Sequence, residues 1–344
     1  MSLRETAKQV AASALRRSGV TAAGRARRRD SAVILTYHGV LAAGRPHDEY
    51  LSRNCVDQAA FQAQMSYLAQ HYTCLPLSEL ADRLAAGTLP PRVAAVTFDD
   101  GFRNNYQYAL PVLQATGVPA TVFVTTGHMD RGCLMLWTER VAWLLHVAPT
   151  TLDAVPVGRA RVGVDLTSSA GRRESSRRLL KVLKATPTDE RDVAVEQLAA
   201  RVQGSVDVEP DADRYAFLTW GEARMMAATG LVDIGSHTVT HLLLSTGTPE
   251  RRRRELADSK LAIEREIGRP CRLFAYPNGT RADFDDSDQR VLRDLGYTAA
   301  VSQVPGVNAV DAEPFALRRY NVGLGHSLDT LAAMLAGVWP MGRA

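Results

Sequence analysis

The sequence predicts an α/β fold whose parallel strands form either a barrel or a doubly wound sheet. Three observations carry that prediction. Short apolar runs alternate with stretches of helical periodicity along most of the chain. One run, Val93-Ala94-Ala95-Val96-Thr97-Phe98, is nearly continuous in apolar residues, as suits a strand buried on both faces. The helical stretches repeatedly stop at a glycine before the next strand, as at Gly117, Gly230, Gly268 and Gly296.

Taken in order, the first strand covers residues 32–37 and ends at His38-Gly39. A polar loop runs to about Cys55, and Phe61, Met65, Leu68 and Ala69 then recur at helical spacing. Ser78 is the expected N-cap of a short helix that stops at Gly87, before Pro90-Pro91. The buried run follows and ends in Asp99-Asp100-Gly101, with a helix to Thr116 and a strand over 120–124, which makes a strand–helix–strand unit. The pattern breaks between Gly127 and Phe217. That stretch reads as a mostly helical insertion, with helices around 139–147 and 171–202 between loops rich in Asp, Pro and Gly. Alternation resumes with a helix over 220–228, a strand over 231–235, a helix over 249–267, a strand over 272–276, a helix near 287–295 and a strand over 298–301.

The bulk composition bounds the function classes. With 344 residues, 46% of them hydrophobic and 23% charged, the chain can bury a full core without disulfides. No apolar run is long enough to cross a bilayer. Cys55, Cys74, Cys133 and Cys271 lie far apart, which argues against a zinc knuckle or a redox pair. The net charge of +4 is concentrated near the start, in Arg4, Lys8, Arg16, Arg17, Arg25 and Arg27-Arg28-Arg29. Ala, Ser, Thr and Arg are interleaved there, so no secretory signal is read. Leu3, Ala7, Val10, Ala14 and Leu15 form an apolar stripe that can pack on the protein or rest on a membrane surface. Arg251 to Arg254 stand among Glu250, Glu255 and Glu264 and read as a solvated mixed-charge helix face. No aromatic residues interleave with them, so a nucleic-acid partner is not expected.

The chemistry gathers at strand ends, which form the active face of α/β barrels. Asp99-Asp100, His237 with His241, and Tyr276-Pro277-Asn278-Gly279 each follow a strand. Adjacent carboxylates raise one another's pKa unless a cation intervenes, and a divalent metal supplies one. His237 and His241, four residues apart, add two neutral nitrogens. Two histidines and one aspartate leave an open position for water, the layout of a catalytic zinc site, and the second carboxylate is then free to take a proton. Taken singly, each group has a plainer explanation: a turn with a helix cap, ordinary histidines, or a simple turn. Their recurrence on successive strand ends is what argues for a site.

Thr97-Phe98-Asp99-Asp100-Gly101 resembles the first motif of the polysaccharide deacetylases that carry the NodB homology domain. Ser236-His237-Thr238-Val239-Thr240-His241 is similar to the second, and Phe274-Ala275-Tyr276-Pro277-Asn278-Gly279 to a variant of the third. The resemblance covers residues 32–322, interrupted by the insertion. It implies a distorted (β/α) barrel, with residues 31–344 as the deacetylase domain, a helical insertion at about 128–217, and residues 1–30 as a basic N-terminal helix and tether. It also implies that Asp99 is the general base, that Asp100, His237 and His241 bind a divalent metal, Zn2+ first, and that the backbone N–H of Asn278 helps to hold the oxyanion.

The chain departs from the family pattern in three places. Ala275 stands where an arginine commonly steadies the catalytic aspartate, and Arg318 or Arg319 on a later strand is the expected replacement. The fourth motif, with its tryptophan, is not visible. The histidine of the fifth, the general acid, has two candidates, His326 and His38. The early Tyr37-His38-Gly39-Val40, the third motif and the insertion resemble the branch associated with bacterial exopolysaccharide or surface-glycan synthesis. The expected function is hydrolysis of N-acetyl groups from N-acetylhexosamine units of a polysaccharide, oligosaccharide or lipid-linked glycan. The alternatives are an amidase acting on a non-sugar amide and a glycan-binding protein without turnover. A cytoplasmic location, at the inner membrane face, fits the lack of a visible signal.

Overall fold

The computed structural model of the chain describes residues 3–44, 48, 50–132, 135–203 and 209–339, and Cys133 lies outside them. Seven parallel strands form the frame: β1 (Val33–Tyr37), β2 (Val93–Phe98), β3 (Ala120–Val124), β4 (Val232–Ser236), β5 (Leu273–Ala275), β6 (Ala299–Val301) and β7 (Tyr320–Asn321). Their spatial order is β6-β5-β4-β3-β2-β1-β7, so β1 to β6 each lie beside their neighbours in sequence. A doubly wound sheet would reverse direction part-way, and this one does not. A short strand, Thr73–Cys74, adds to the side of β2.

Closure depends on one short segment. Leu317 bridges Val301 in parallel, while Tyr320 and Asn321 pair with Leu35 and Thr36. Residues 317–321 therefore touch both outer strands, β6 and β1, and draw the sheet into a distorted barrel. The pleat then sorts side chains to two faces. Val33, Leu35 and Tyr37 face outward with Val96 and Phe98, against α3 (Gln58–His71) and α5 (Leu110–Thr116). Ile34, Ala95, Phe123, Leu273, Ala275 and Val301 belong to a second cluster, which α4 (Leu77–Ala86) joins through Leu77, Leu80 and Leu84. Ser78 does not cap α4: the helix starts at Leu77 after Pro76, and the Ser78 hydroxyl donates to Asp233 Oδ2 at 2.9 Å.

The insertion has a core of its own. α6 (Trp137–Val147), α7 (Ser169–Lys184) and α8 (Thr188–Gln203) pack through Leu144, Leu179, Leu183 and Leu198, each almost fully buried. The stretch read as one helix over 171–202 is two, because Pro187 denies the first helix a continuation. A small antiparallel ribbon, Ala154–Val157 with Ala160–Gly163, accompanies the helices of this mostly helical insertion. A short helix, α9 (Ala212–Tyr215), leads back to the barrel and α10 (Trp220–Ala228), which opens on a capping box between Thr219 and Glu222.

The remaining helices are α11 (Pro249–Ile267), α12 (Asp286–Asp294) and α13 (Leu328–Leu335). The four arginines at the start of α11 are not all solvated: Arg251 pairs with Asp189 of α8, and Arg252 faces Asp285 and Asp288. At the N-terminus, α1 (Leu3–Arg17) and α2 (Val20–Arg27) both pack against α13. Arg16 pairs with Asp329, and Arg28 donates to Tyr320 Oη at 3.1 Å. No described helix is long and apolar enough to cross a membrane.

Candidate active site

Strand register brings the polar strand ends to one rim. Val124 pairs with Ser236, Ser236 with Phe274, and Phe274 with Ala300. The residues that follow these strands therefore emerge at one level. Just beyond the strands, the Asp99 N–H donates to Tyr37 O at 2.9 Å and the His237 N–H to Val124 O at 3.0 Å.

Asp99 and Asp100 are neighbours in sequence but serve different partners. Asp100 and Gly101 both have left-handed backbone, with φ of 75° and 82°. A non-glycine residue adopts that conformation at some cost, so the surroundings must hold it. The turn sends the Asp100 carboxylate to the histidines, with Oδ1 3.5 Å from Nε2 of both His237 and His241. These two nitrogens and one carboxylate oxygen all lie within 4.8 Å of one another and are buried. His237 Nδ1 lies 2.7 Å from Ala275 O. A carbonyl only accepts, so Nδ1 donates to it, and Nε2, the nitrogen facing Asp100, is the one available to a metal, the arrangement a metal-binding histidine uses.

The electrostatics agree with a cation at this place. Burial pushes the His241 imidazole down to about 3, against the pull of Asp100, so the ring is neutral. Burial also disfavours charge on His237, but its hydrogen bond to Asp100 and the charges of Asp99 and Asp100 overcome this and raise its pKa. Asp100 is lowered in turn: the two histidines, with His38, outweigh burial. A divalent ion among three such groups would replace that shared proton with a larger positive charge, and two nitrogens with one carboxylate oxygen suit such an ion.

Asp99 faces the barrel axis. Arg319, in the closing segment, donates from Nη1 to Asp99 Oδ1 and from Nη2 to Asp99 Oδ2, each at 2.7 Å. The same guanidinium donates to Thr97 Oγ1 at 3.1 Å and to Ser302 O at 2.8 Å. Gln303 adds a donor to Asp99 Oδ2 at 3.0 Å. Burial raises the Asp99 pKa, but the charge of Arg319, followed by that of His237, more than offsets it, and the carboxyl lies below its ordinary value. Arg318 points elsewhere; it is exposed and lines a separate cavity of ≈ 550 Å³ with Arg281, Asp285 and Asp311.

A cavity of ≈ 130 Å³ lies over the site, and His38, Asp100, Glu139, Lys184, His241 and Asn278 line it. Asn278 has φ of 59°, and its backbone N–H has no protein acceptor among the described residues. His38 Nδ1 is buried and has no hydrogen-bond partner among the described residues. His326 does not line this cavity. Its Nδ1 faces the Gly323 N–H at 3.1 Å and Gly323 O at 3.2 Å, which ties the ring to its own turn.

Several groups near Asp99 and the cavity had no signal in the sequence. Gln303 follows β6 in no motif. Glu139 and Lys184 sit on helices of the insertion, among many charged residues of similar appearance. Burial and the Asp100 charge hold the Glu139 carboxyl well above the usual range.

Residues 86–300 match the polysaccharide deacetylase family. The chain belongs to that family. The Bacillus subtilis (strain 168) protein YxkH is 22% identical over 304 residues, which cover 88% of this chain and 75% of that one. The poly-β-1,6-N-acetyl-D-glucosamine N-deacetylase of Staphylococcus aureus is 30% identical over 109 residues, 29% of this chain and 38% of that enzyme. The chain thus matches little more than a third of the staphylococcal deacetylase. Among solved structures, the Streptococcus pyogenes deacetylase PplD, in complex with acetate, superposes with a TM-score of 0.59 at 19% identity, over 89% of this chain and 99% of that one. IcaB from Ammonifex degensii gives 0.57 at 20% identity, over 89% and 97%. These two proteins share the fold of the present chain.

Proposed function

We propose that this deacetylase hydrolyses the N-acetyl group of N-acetylhexosamine units in a bacterial exopolysaccharide or its precursor. One observation carries the reading: an ionised aspartate clamped by arginine stands beside an Asp-His-His cluster at the open end of the barrel. Asp100, His237 and His241 would hold a divalent metal, with zinc first by ligand type. When bound, that cation supplies Lewis acidity at the attacking water and the acetyl carbonyl.

The remaining work falls to the protein. Asp99 accepts the proton of the attacking water as the new C–O bond forms, while Arg319 and Gln303 hold the carboxylate in place. The Asn278 N–H donates to the developing oxyanion. His38, as imidazolium, gives its proton to the amine as the C–N bond breaks, which leaves acetate and a free amino sugar. The relationship to a poly-β-1,6-N-acetylglucosamine deacetylase makes β-1,6-linked N-acetylglucosamine oligomers the first substrate to try.

Acetate release from such oligomers tests the reading, with wild type compared with Asp99→Asn and His237→Ala. Loss in both variants supports it. Equal release from all three would sink the mechanism, and zinc binding without release from any N-acetyl glycan would favour a binding protein. A peripheral contact with the inner membrane face belongs to the same proposal. It is supported by exposed Lys8, Val10, Arg17 and Arg27 on the N-terminal helices. Failure to sediment with anionic vesicles at low salt would remove it.

A further inference from the structure

We propose that Lys184, from the helical insertion, is a positioning residue for the oxyanion turn, so that the insertion completes the active site instead of merely decorating the barrel. The inference rests on the reading above, in which the Asn278 N–H holds the oxyanion. Lys184 is the last residue of α7, and its ammonium donates to Asn278 Oδ1 across the cavity mouth. At the other end of the same amide, Asn278 Nδ2 donates to Asp283 Oδ2 at 2.7 Å. Asp283 is itself buried and accepts from the Thr280 N–H at 2.7 Å and the Thr280 hydroxyl at 2.5 Å. The Asn278 side chain is therefore gripped from both ends.

That grip acts on a backbone that needs holding. Asn278 and Gly279 adopt left-handed φ of 59° and 58° in succession. Such a turn keeps one N–H aimed only while its surroundings over-determine it. Asn tolerates the conformation, and its amide offers an acceptor oxygen at one end and a donor NH2 at the other, which match the cation on the insertion and the carboxylate on the barrel. The asparagine and the insertion lysine are matched. Burial lowers the Lys184 pKa while the Asp283 charge raises it, so the carboxylate helps to keep the ammonium charged within the wall.

The insertion is well placed to deliver this contact with precision. Lys184 follows Leu179, Leu180 and Leu183, which anchor α7 in the insertion core. The insertion is tied to the barrel nearby, through Thr188 to Thr246 and Arg251 to Asp189.

The test compares wild type with Lys184→Met, Lys184→Arg, Asn278→Ala and the double variant Lys184→Met/Asn278→Ala. The substrates are β-1,6-linked N-acetylglucosamine oligomers and an aryl acetate, whose hydrolysis also passes through a tetrahedral oxyanion. Lys184→Met should lower kcat by roughly 10- to 100-fold with KM and zinc stoichiometry retained. Lys184→Arg should recover part of the loss, and the double variant should be no worse than the poorer single one. A loss confined to KM would make Lys184 a substrate contact, and multiplicative losses would make the two residues independent; either result overturns the proposal. Hydrogen–deuterium exchange of residues 276–283 supplies a readout that needs no turnover. Faster exchange there in Lys184→Met is expected, and unchanged exchange overturns the proposal even if no substrate is hydrolysed. If Asp99→Asn kills activity while Lys184→Met does not, the positioning role fails and the deacetylase reading stands.

Discussion

Arg319 and Asp99 lie 220 residues apart in sequence and meet through two parallel hydrogen bonds of 2.7 Å, one to each carboxylate oxygen. The guanidinium comes from the segment that closes the barrel, so the contact that orients Asp99 forms only when the last strand is in place. A planar fork matched to a carboxylate adds geometry as well as charge.

Removing that partner should show in the pH profile. Arg319 holds the Asp99 pKa below its ordinary value, so the carboxylate stays ionised into acid. Arg319→Met removes the lowering charge and leaves the burial that raises the pKa. The acid limb of kcat/KM should therefore move to higher pH, with a lower plateau. Stability should fall by about 3–5 kcal/mol, because a buried carboxylate loses its counter-charge. An acid limb that stays in place would show that Asp99 does not set it.

Metal removal should act on activity and stability together. Dialysis against a chelator should abolish acetate release and lower Tm, and added zinc should restore both, because an ion that binds only the folded state stabilises it by mass action. His237→Ala should lose the ion first, since its ring is fixed by the 2.7 Å contact with Ala275 O. Metal content measured by mass spectrometry checks this, and full activity at less than a tenth of an equivalent of any divalent metal would refute it.

The two candidate acids should separate cleanly. His38 lines the cavity with Asp100 and Asn278, whereas His326 is tied to the Gly323 turn. His38→Ala should cost about 10²- to 10⁴-fold in kcat. His326→Ala should leave kcat within a few fold and mainly lower Tm. The reverse pattern would move the acid role to His326.

Gly279→Ala should damage the site through its backbone. Gly279 has φ of 58°, and a Cβ there would lie 2.9 Å from both the Gln303 nitrogen and Tyr276 O. Those neighbours are backbone and cannot rotate away. Gln303 donates to Asp99 and its N–H to Gly279 O, so the strain should reach the base. The expected result is a loss of about 1–3 kcal/mol in stability and a larger fall in kcat than in KM. Wild-type kinetics in this variant would contradict the packing.

Much of the site was legible in sequence because its chemistry is local. Asp99 and Asp100 close an apolar strand, and His237 and His241 sit four residues apart after another; spacing alone brings such groups to strand ends. Their convergence needs little tertiary information beyond parallel strands in register. The basic run at the start of α11 was legible in part: Arg253 and Arg254 are solvated as its composition suggests, but Arg251 and Arg252 meet Asp189 and Asp288, which neighbouring helices supply.

The sequence by itself determined the alternation of strands and helices, the pairing of carboxylates with histidines, and the family those motifs resemble, since periodicity and residue type act over a few neighbours. Only the tertiary structure decided that the barrel closes through residues 317–321 and that Arg319, not Arg318, reaches Asp99. It also decided that Gln303 reaches Asp99 and that the insertion's Glu139 and Lys184 line the cavity over it. Adjacent residues on a strand point to opposite faces, so which of two neighbouring arginines turns inward depends on register, and register is set by partners hundreds of residues away.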